Sequence, residues 1–463
     1  MIDNSKYILF TLLAYKLILI LIGLWSRKKN NSVSDYFIAS RRLGPWIAAL
    51  SASASSSSAW TLLGVSGAAY LWGLPALWIF PATLSGFFIN WLFIAPKLNQ
   101  LSQKHQLLTL TEFLALGKNG TVKEIKYLAS FIIVFCFIFY IASQFDAAGQ
   151  SFESTFGLKK SESILIGIAI ILFYTLLGGF WAVSVSDSLQ GIMMAISAII
   201  LPLVALSQAG LDQIFMDLSS QSLFSTPSGI TGLAAFGFII GTMGIGIGYP
   251  GQPHVLNRLM AIETEKKIKQ GRLIAIVWAL IIYPGMILLG WAGRTLVSSA
   301  QNEQILILLG NDLLPPVLAG IVLASVLSAI MSTADSQLLV ASSAICHDLS
   351  LSQKEFTLKE TRIVVTVVCL IAGLTALFID KSIYSQVLFA FSAMGSAFGP
   401  LVIGRIQGFV DNKYAFLSIF AGFSLTVLIH FSSFKSEGSP FERIFPFVVA
   451  YILVQLGRRK ELS

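Results

Sequence analysis

Ser332, Thr333, Asp335, Ser336 and Gln337 crowd one stretch that is otherwise Leu, Val, Ala and Ile. A carboxylate at a bilayer centre costs roughly 2.5–3.5 kcal/mol on insertion scales, so it faces an interior or a water-filled cavity. In a helix, Ser332 and Ser336 are i,i+4 and Ser332 and Asp335 are i,i+3, which puts them on one face. Small hard cations take oxygen ligands from carboxylates, hydroxyls and carbonyls. This stretch offers hydroxyls and one negative charge. An interhelical hydrogen-bond patch would use the same residues.

Two irregular stretches could supply carbonyls. Ser51–Trp60 reads SASASSSSAW inside a long apolar run, with six serines in ten residues. In lipid every backbone polar group needs a partner. Such a cluster marks either close helix packing or a helix that unwinds to show carbonyls and hydroxyls. Gly241–Pro253, GTMGIGIGYPGQP, is the second. Interrupted segments in corresponding halves of a membrane chain point to a midplane solute and ion site. Pro253 is expected to end the broken helix and free carbonyls upstream.

Other polar residues leave two readings each. Asp187 opens an apolar run and is either a first-turn acid on the helix dipole or an ion ligand. Tyr140 and Tyr249 are either core residues or pocket walls with a polar tip. Asp146 reads as an interface residue, and Lys16 as a cation that snorkels or pairs. Enzyme chemistry is excluded on several counts. Gly246-Ile247-Gly248 follows no strand, and no G-x-S-x-G elbow is present. His105, His254 and His347 fall in loops and His430 late in an apolar run. Cys136, Cys346 and Cys369 lack metal-ligand spacing.

These residues need a scaffold, and composition dictates its kind. The 463 residues are 55% hydrophobic and 12% charged, with mean hydropathy +0.78. A soluble domain would be about a quarter charged. The fold class is therefore an all-α polytopic membrane protein. With roughly 20 apolar residues per span, about 13 spans are expected. They lie near 7–26, 45–71, 73–95, 124–147, 163–182, 186–208, 230–250, 272–296, 313–346, 361–380, 384–405, 413–433 and 441–457. The first run lacks a small-residue cleavage site and should stay. One set of alternate loops holds 23 of the 31 Lys and Arg and the other set seven, with Lys16 inside a span. That bias places the N-terminus outside and the C-terminus in the cytoplasm. The net charge of +8 lies in these loops, so it speaks for a membrane surface and not for nucleic acid.

Several short stretches, in order, resemble the sodium/solute symporter family, and most of all its sodium/proline branch. They are Ser34-Asp35-Tyr36-Phe37 with Arg42-Leu43-Gly44-Pro45, and Ala49-Leu50-Ser51-Ala52. Gly178-Gly179-Phe180 with Ala182-Val183-Ser184 and Asp187 follows. Gly248-Tyr249 with Gly251-Gln252-Pro253-His254, and Met331-Ser332-Thr333 with Gln337-Leu338-Leu339-Val340, complete the set. The resemblance implies a leucine-transporter-like fold of two inverted five-helix repeats, residues 45–208 and 209–410. Residues 1–44 precede them, and two helices in 411–463 follow.

By position, the resemblance implies a sodium site from the carbonyls of Ala54, Ser57 and Ala329 and the hydroxyls of Ser332 and Thr333. It implies a second sodium at Asp187, Asp335 and Ser336, and a solute pocket at Ser58, Tyr140, Tyr249 and Pro253. The chain departs from proline porters at Ser56, where they carry an aspartate, and at Ile245, where they carry a tryptophan. The implied function is sodium-coupled import of a small solute such as an amino acid, across the plasma (inner) membrane. The implied partners are sodium, the solute and the lipid bilayer, with no obligate protein partner. Proton coupling through Asp187 and Asp335 is the alternative mechanism. A non-transporting sensor is the alternative class, which the lack of a signalling module in this sequence disfavours.

Overall fold

The computed structural model describes residues 2–26, 41–118, 120–177, 180–298, 302–349, 357–378, 383–432 and 440–459. The Ser34–Phe37 and Gly178-Gly179 stretches lie outside them. The apolar runs form helices throughout. The helices include α1 (Ile2–Ser26), α2 (Pro45–Ser56), α3 (Val65–Trp72), the helical span α4 (Leu74–Lys104), α5 (Lys123–Phe156), α6 (Lys160–Leu177) and α7 (Phe180–Ala209). They continue with α8 (Leu233–Gly248), α9 (Pro253–Met260), α10 (Glu265–Leu296), α11 (Pro316–Ser343), α12 (Leu358–Phe378), α13 (Ile383–Gln407), α14 (Asn412–His430) and α15 (Phe445–Gly457). Among the described residues the strands are two short antiparallel pairs, Leu116–Gly117 with Gly120–Thr121 and Phe409–Val410 with Arg458–Arg459.

Ten helices among the described residues are long and apolar enough to cross a membrane, so the expected count of 13 is not reached. The other three expected spans are helical but fall outside that ten. They are the broken segment from α2 to α3, α6, and the 13-residue α15.

Helix α7 lies at the centre, packed on α2, α10 and α11. Helix α11 also packs on α1 and α5. It is buried almost without interruption from Ala319 to Ser343, so it has scarcely any lipid-facing surface.

The serine run does break its helix. Helix α2 stops at Ser56, and Ser57 takes φ −112° and ψ 77°. The chain resumes through a π-turn at Trp60–Gly64 into α3. Serine hydroxyls compete for backbone partners and so weaken a helix; Ser56 Oγ donates to Ser53 O at 2.9 Å. The second irregular stretch breaks too. Helix α8 ends at Gly248, a 3₁₀ turn covers Tyr249–Gly251, and Gln252 is extended.

Pro253 then begins α9 rather than ending the helix before it. Proline is at home there, because the first-turn N–H would be unpaired anyway. The stretch after residue 253, read from sequence as loop, is therefore the second half of the broken helix. It buries His254 and Arg258, each 1% exposed.

Glycine allows the turn between α8 and α9 to touch α13. A Cβ at Gly251 would lie 2.5 Å from Met394 O and 2.6 Å from Gly395 Cα. Both are backbone atoms of a packed helix and cannot turn away. Gly251→Ala is predicted to destabilise the fold by about 1–3 kcal/mol, the usual range for overpacking. Thermal unfolding of the detergent-solubilised protein measures it; an unchanged midpoint would show that the contact is not tight.

Candidate functional site

The break in α2 lies against the polar stretch of α11. Ser332 Oγ donates to Ala54 O and to Ala329 O, both at 3.2 Å. Thr333 Oγ1 donates to Ser55 O at 3.0 Å. Ala54 O also accepts the Ser57 N–H at 3.2 Å. Ala54, Ala329 and Ser332 thus bring three uncharged oxygens together. Thr333 joins one residue further along, at Ser55 and not Ala54. Ser57 enters through its backbone, while its hydroxyl stands 3.3 Å from Tyr283 OH. All five residues are fully buried. Neutral oxygens on two helices, with no charge among them, suit a small hard cation.

The expected second ion group is also assembled, but around an arginine. Arg258 Nη2 donates to Asp187 Oδ2 at 2.7 Å and to Ser336 Oγ at 2.5 Å. Its Nε donates to Ser51 Oγ at 2.5 Å and its Nη1 to His254 O at 2.6 Å. Ser51 Oγ in turn donates to Asp187 Oδ2 at 2.7 Å. One guanidinium therefore ties α2, α7, α9 and α11 together.

Asp187 is a buried ion-pair partner rather than a first-turn acid in contact with solvent. Asp335 stands beside this group, with Ser336 Oγ 3.3 Å from its Oδ1. It interacts electrostatically with Asp187 and Arg258. Lys16 on α1 reaches Met331 Sδ and interacts electrostatically with Asp335.

Of the residues expected to line a solute pocket, Ser58, Tyr140 and Tyr249 come together at the same break. Tyr140 OH donates to Ser58 Oγ at 3.3 Å. Tyr249 OH lies 3.1 Å from Tyr283 OH. The rings of Phe87 and Phe391 flank Tyr249 at 5.5 and 5.3 Å. Tyr140 packs edge-on against His254, with 6.2 Å between ring centroids. Pro253 is buried at the start of α9, between these two groups in the chain. A small cavity bordered by Ser56, Asn90 and Tyr249 adjoins the break. Ile245 is buried one turn before Tyr249.

Four participants had been missed: Arg258, Ser51, Tyr283 and Gln144. Gln144 Oε1 accepts the Ala59 N–H at 3.1 Å, just beyond the break. The helical spacing of Val255, Leu256, Leu259 and Met260 could have marked α9 as buried helix, and Arg258 with it.

Two other polar groups stand apart. Asp146 pairs with Lys160 at 3.0 Å and Gln150 at 2.9 Å, away from the break. Glu112, His347 and Asp348 place their ligand atoms within 4.8 Å of one another, as a metal site would. Lys126 already stands 3.2 Å from Asp348 and 3.9 Å from Glu112. Burial alone would raise the Glu112 carboxyl. The His347 ring, the Leu108 N–H and Lys126 outweigh it and hold that carboxyl below the ordinary glutamate value. The protein supplies the positive charge there itself.

Removing one member of the Asp187–Arg258 pair strands the other in a low-dielectric interior. Asp187→Asn is predicted to destabilise the protein by about 3–5 kcal/mol, the range for halving a buried pair. Asp187→Asn with Arg258→Met should cost less than Asp187→Asn alone. Thermal unfolding of both variants decides it; equal losses would mean that the pair does not act as a unit.

A profile of the Sodium:solute symporter family matches residues 36–408. The chain is 32% identical to the "Osmoregulated proline transporter OpuE" of Bacillus subtilis, over 97% of this chain and 94% of that protein. It is 33% identical to the "Sodium/proline symporter" of Escherichia coli, over 87% of this chain and 83% of that protein. Among solved structures, a Na+-coupled sialic acid symporter in a substrate-bound outward-open state superposes with TM-score 0.80. That match is 18% identical and covers 97% of each chain. A nucleobase-cation-symport-1 family transporter in a closed conformation superposes with TM-score 0.57, at 14% identity over 92% of this chain and 93% of that one. These two share the fold. The profile spans most of the chain, and the two transporters match it at about a third identity over most of their own lengths. The protein belongs to the sodium:solute symporter family.

Proposed function

We propose that the protein is a sodium-coupled symporter that carries a small amino acid, proline or a close analogue, by alternating access. One observation carries the reading. Ser332, Ala54 and Ala329 meet at 3.2 Å where α2 breaks, beside the hydroxyls of Ser58 and Tyr140. A sodium ion among these oxygens would replace a hydrogen bond as the link between α2 and α11, with Ser57 and Thr333 completing its shell. The same break would present its backbone to the solute, with Ser58, Tyr140, Tyr249 and Pro253 around it. Ion and solute thus share one flexible element. Whatever orders it for one helps the other, and coupling of this kind is typically about 1–3 kcal/mol and reciprocal.

The relatives' names, which specify proline and sodium, support the choice of cargo. The chain lies in the plasma membrane, with the N-terminus outside and the C-terminus in the cytoplasm, as its Lys and Arg distribution favours. The moving parts would be the repeats at residues 45–208 and 209–410. Their corresponding broken helices, α2–α3 and α8–α9, meet at the site. Ser56 and Ile245 stand where proline porters carry an acid and a broad ring, so the solute cavity here differs in charge and in one wall.

Uptake of radiolabelled proline into vesicles tests the reading. An inward sodium gradient should drive it. Full-rate uptake driven by a pH gradient without sodium would overturn it. Ser332→Ala and Thr333→Ala should raise the half-saturating sodium concentration about tenfold, equivalent to ~1.4 kcal/mol. Wild-type sodium dependence in both would remove them from the site. Tyr140→Ala and Tyr249→Ala should instead raise the half-saturating solute concentration. Ile245→Trp should shift selectivity toward proline. An unaltered selectivity profile across these three would count against the pocket.

A further inference from the structure

We propose that Arg405, at the end of α13, is the core of an oxyanion site that takes a phosphate group, carried by an anionic phospholipid or free in solution. The site lies apart from the broken helices, and neither sodium nor solute plays a part in it.

The guanidinium is the first support. Arg405 sits in the last turn of α13 and is 5% exposed. Its Nη1 donates to Val410 O at 2.9 Å. Its Nε and Nη2 are buried and have no hydrogen-bond partner among the described residues. No acid among the described residues interacts with it electrostatically. The N–H groups of Nε and Nη2 run parallel along one edge of the guanidinium. That edge is the fork that grips two oxygens of a phosphate or carboxylate side by side. The bond to Val410 and the ring of Phe409, 5.5 Å from Cζ, fix its plane.

Other partners leave the fork incomplete. The helix dipole favours a cation at the end of α13, but it satisfies neither N–H. Water can accept from both and still leave a buried charge unbalanced. The guanidinium cannot shed that charge by losing a proton. An oxyanion supplies two acceptors and the opposite charge together.

The surroundings are the second support. Lys118 is exposed, and its Nζ stands 5.2 Å from the centroid of the same Phe409 ring. Arg458, also exposed, pairs with Val410 across the short sheet. Asp411 turns its carboxylate to cap α14, accepting the Lys413 N–H at 3.0 Å. From Asn412 a groove of about 370 Å³ opens between Val122, Ile125, Phe416 and Leu417, with Glu124 and Lys413 also on its border. Apolar walls beside clustered cations suit a molecule with both an acyl chain and a phosphate, which favours the lipid over the free ion. The Lys and Arg distribution favours the cytoplasmic side for this end of α13.

The test titrates the delipidated full-length protein with short-chain phosphatidylglycerol and follows thermal unfolding. Phosphatidylcholine of the same chain length and inorganic phosphate are the comparison arms. Phosphatidylglycerol should raise the midpoint saturably and less at high salt, and phosphatidylcholine should not. Arg405→Met should weaken binding at least about tenfold, and Arg405→Lys, which keeps the charge but loses the fork, by less. Lys118→Gln should weaken it about fivefold. Without lipid, Arg405→Met should unfold no earlier than the wild type, because it removes a charge that has no partner. If Arg405→Met yields no folded protein, Arg405→Lys and Lys118→Gln decide by the same titration.

Saturation by inorganic phosphate alone, lost in the Arg405 variants, would keep the oxyanion site and assign it to the free ion. Equal shifts with both lipids and none with phosphate would overturn the proposal. So would titrations unchanged in the Arg405 variants. A loss of stability in Arg405→Met that is the same with and without lipid would mark the arginine as purely structural and overturn it too.

Discussion

A helix broken inside an apolar bundle must find new partners for its backbone, and that constraint shapes the centre of this protein. A buried polar group left unpaired costs about 1–3 kcal/mol, and lipid offers no substitute for a partner. The residues around Ser57 meet the demand from two other helices and from the break itself. Gln144 on α5 takes the Ala59 N–H, while Ser332 and Thr333 on α11 serve the carbonyls of Ala54 and Ser55. Ser58 takes the Trp60 N–H with its own hydroxyl, at 3.2 Å. The break is held by side chains from elsewhere in the sequence, and these are oxygens that an ion could use. The site and the repair of the backbone are the same set of atoms.

The second break is repaired differently. Gln252 Nε2 donates to Gly248 O at 3.0 Å and to Phe391 O at 2.9 Å, closing the end of α8. Pro253 then starts α9, and α9 delivers Arg258 to the acids of α7 and α11. The two halves of the molecule therefore contribute unlike things to one layer. One gives neutral oxygens around a gap in a helix, and the other gives a fixed positive charge.

Much of this was legible in the sequence. A serine run, a Gly/Pro run and a polar stretch at helical spacing have no ordinary place in apolar helices, and the structure brings the three together. Span positions were legible because hydrophobic runs of bilayer length have one structural outcome. The missing parts share a cause. Arg258 follows a Pro and a Gly-rich stretch, so its helix looked like loop and its charge like one more loop cation. Tyr283 and Gln144 sit in long apolar helices, where one aromatic or one amide carries no pattern of its own. Ser51 belonged to the serine run, but nothing in sequence pairs it with an arginine 207 residues away. Partnership across helices is a property of packing, and a linear pattern reports only the face that each residue occupies.

The chain of hydroxyls from Tyr249 through Tyr283 to Ser57 has no fixed sense. Each link is between two hydroxyls, and either oxygen can be the donor. A hydroxyl has one proton to give and two lone pairs to receive with. Reversing the whole chain takes only rotation of hydrogens, with every heavy atom in place. Its ends can thus offer either a proton or a lone pair without a heavy atom moving. In the proposed solute pocket such a wall would be electrically ambidextrous, leaving discrimination to the outline drawn by the rings of Phe87, Phe391 and Tyr249.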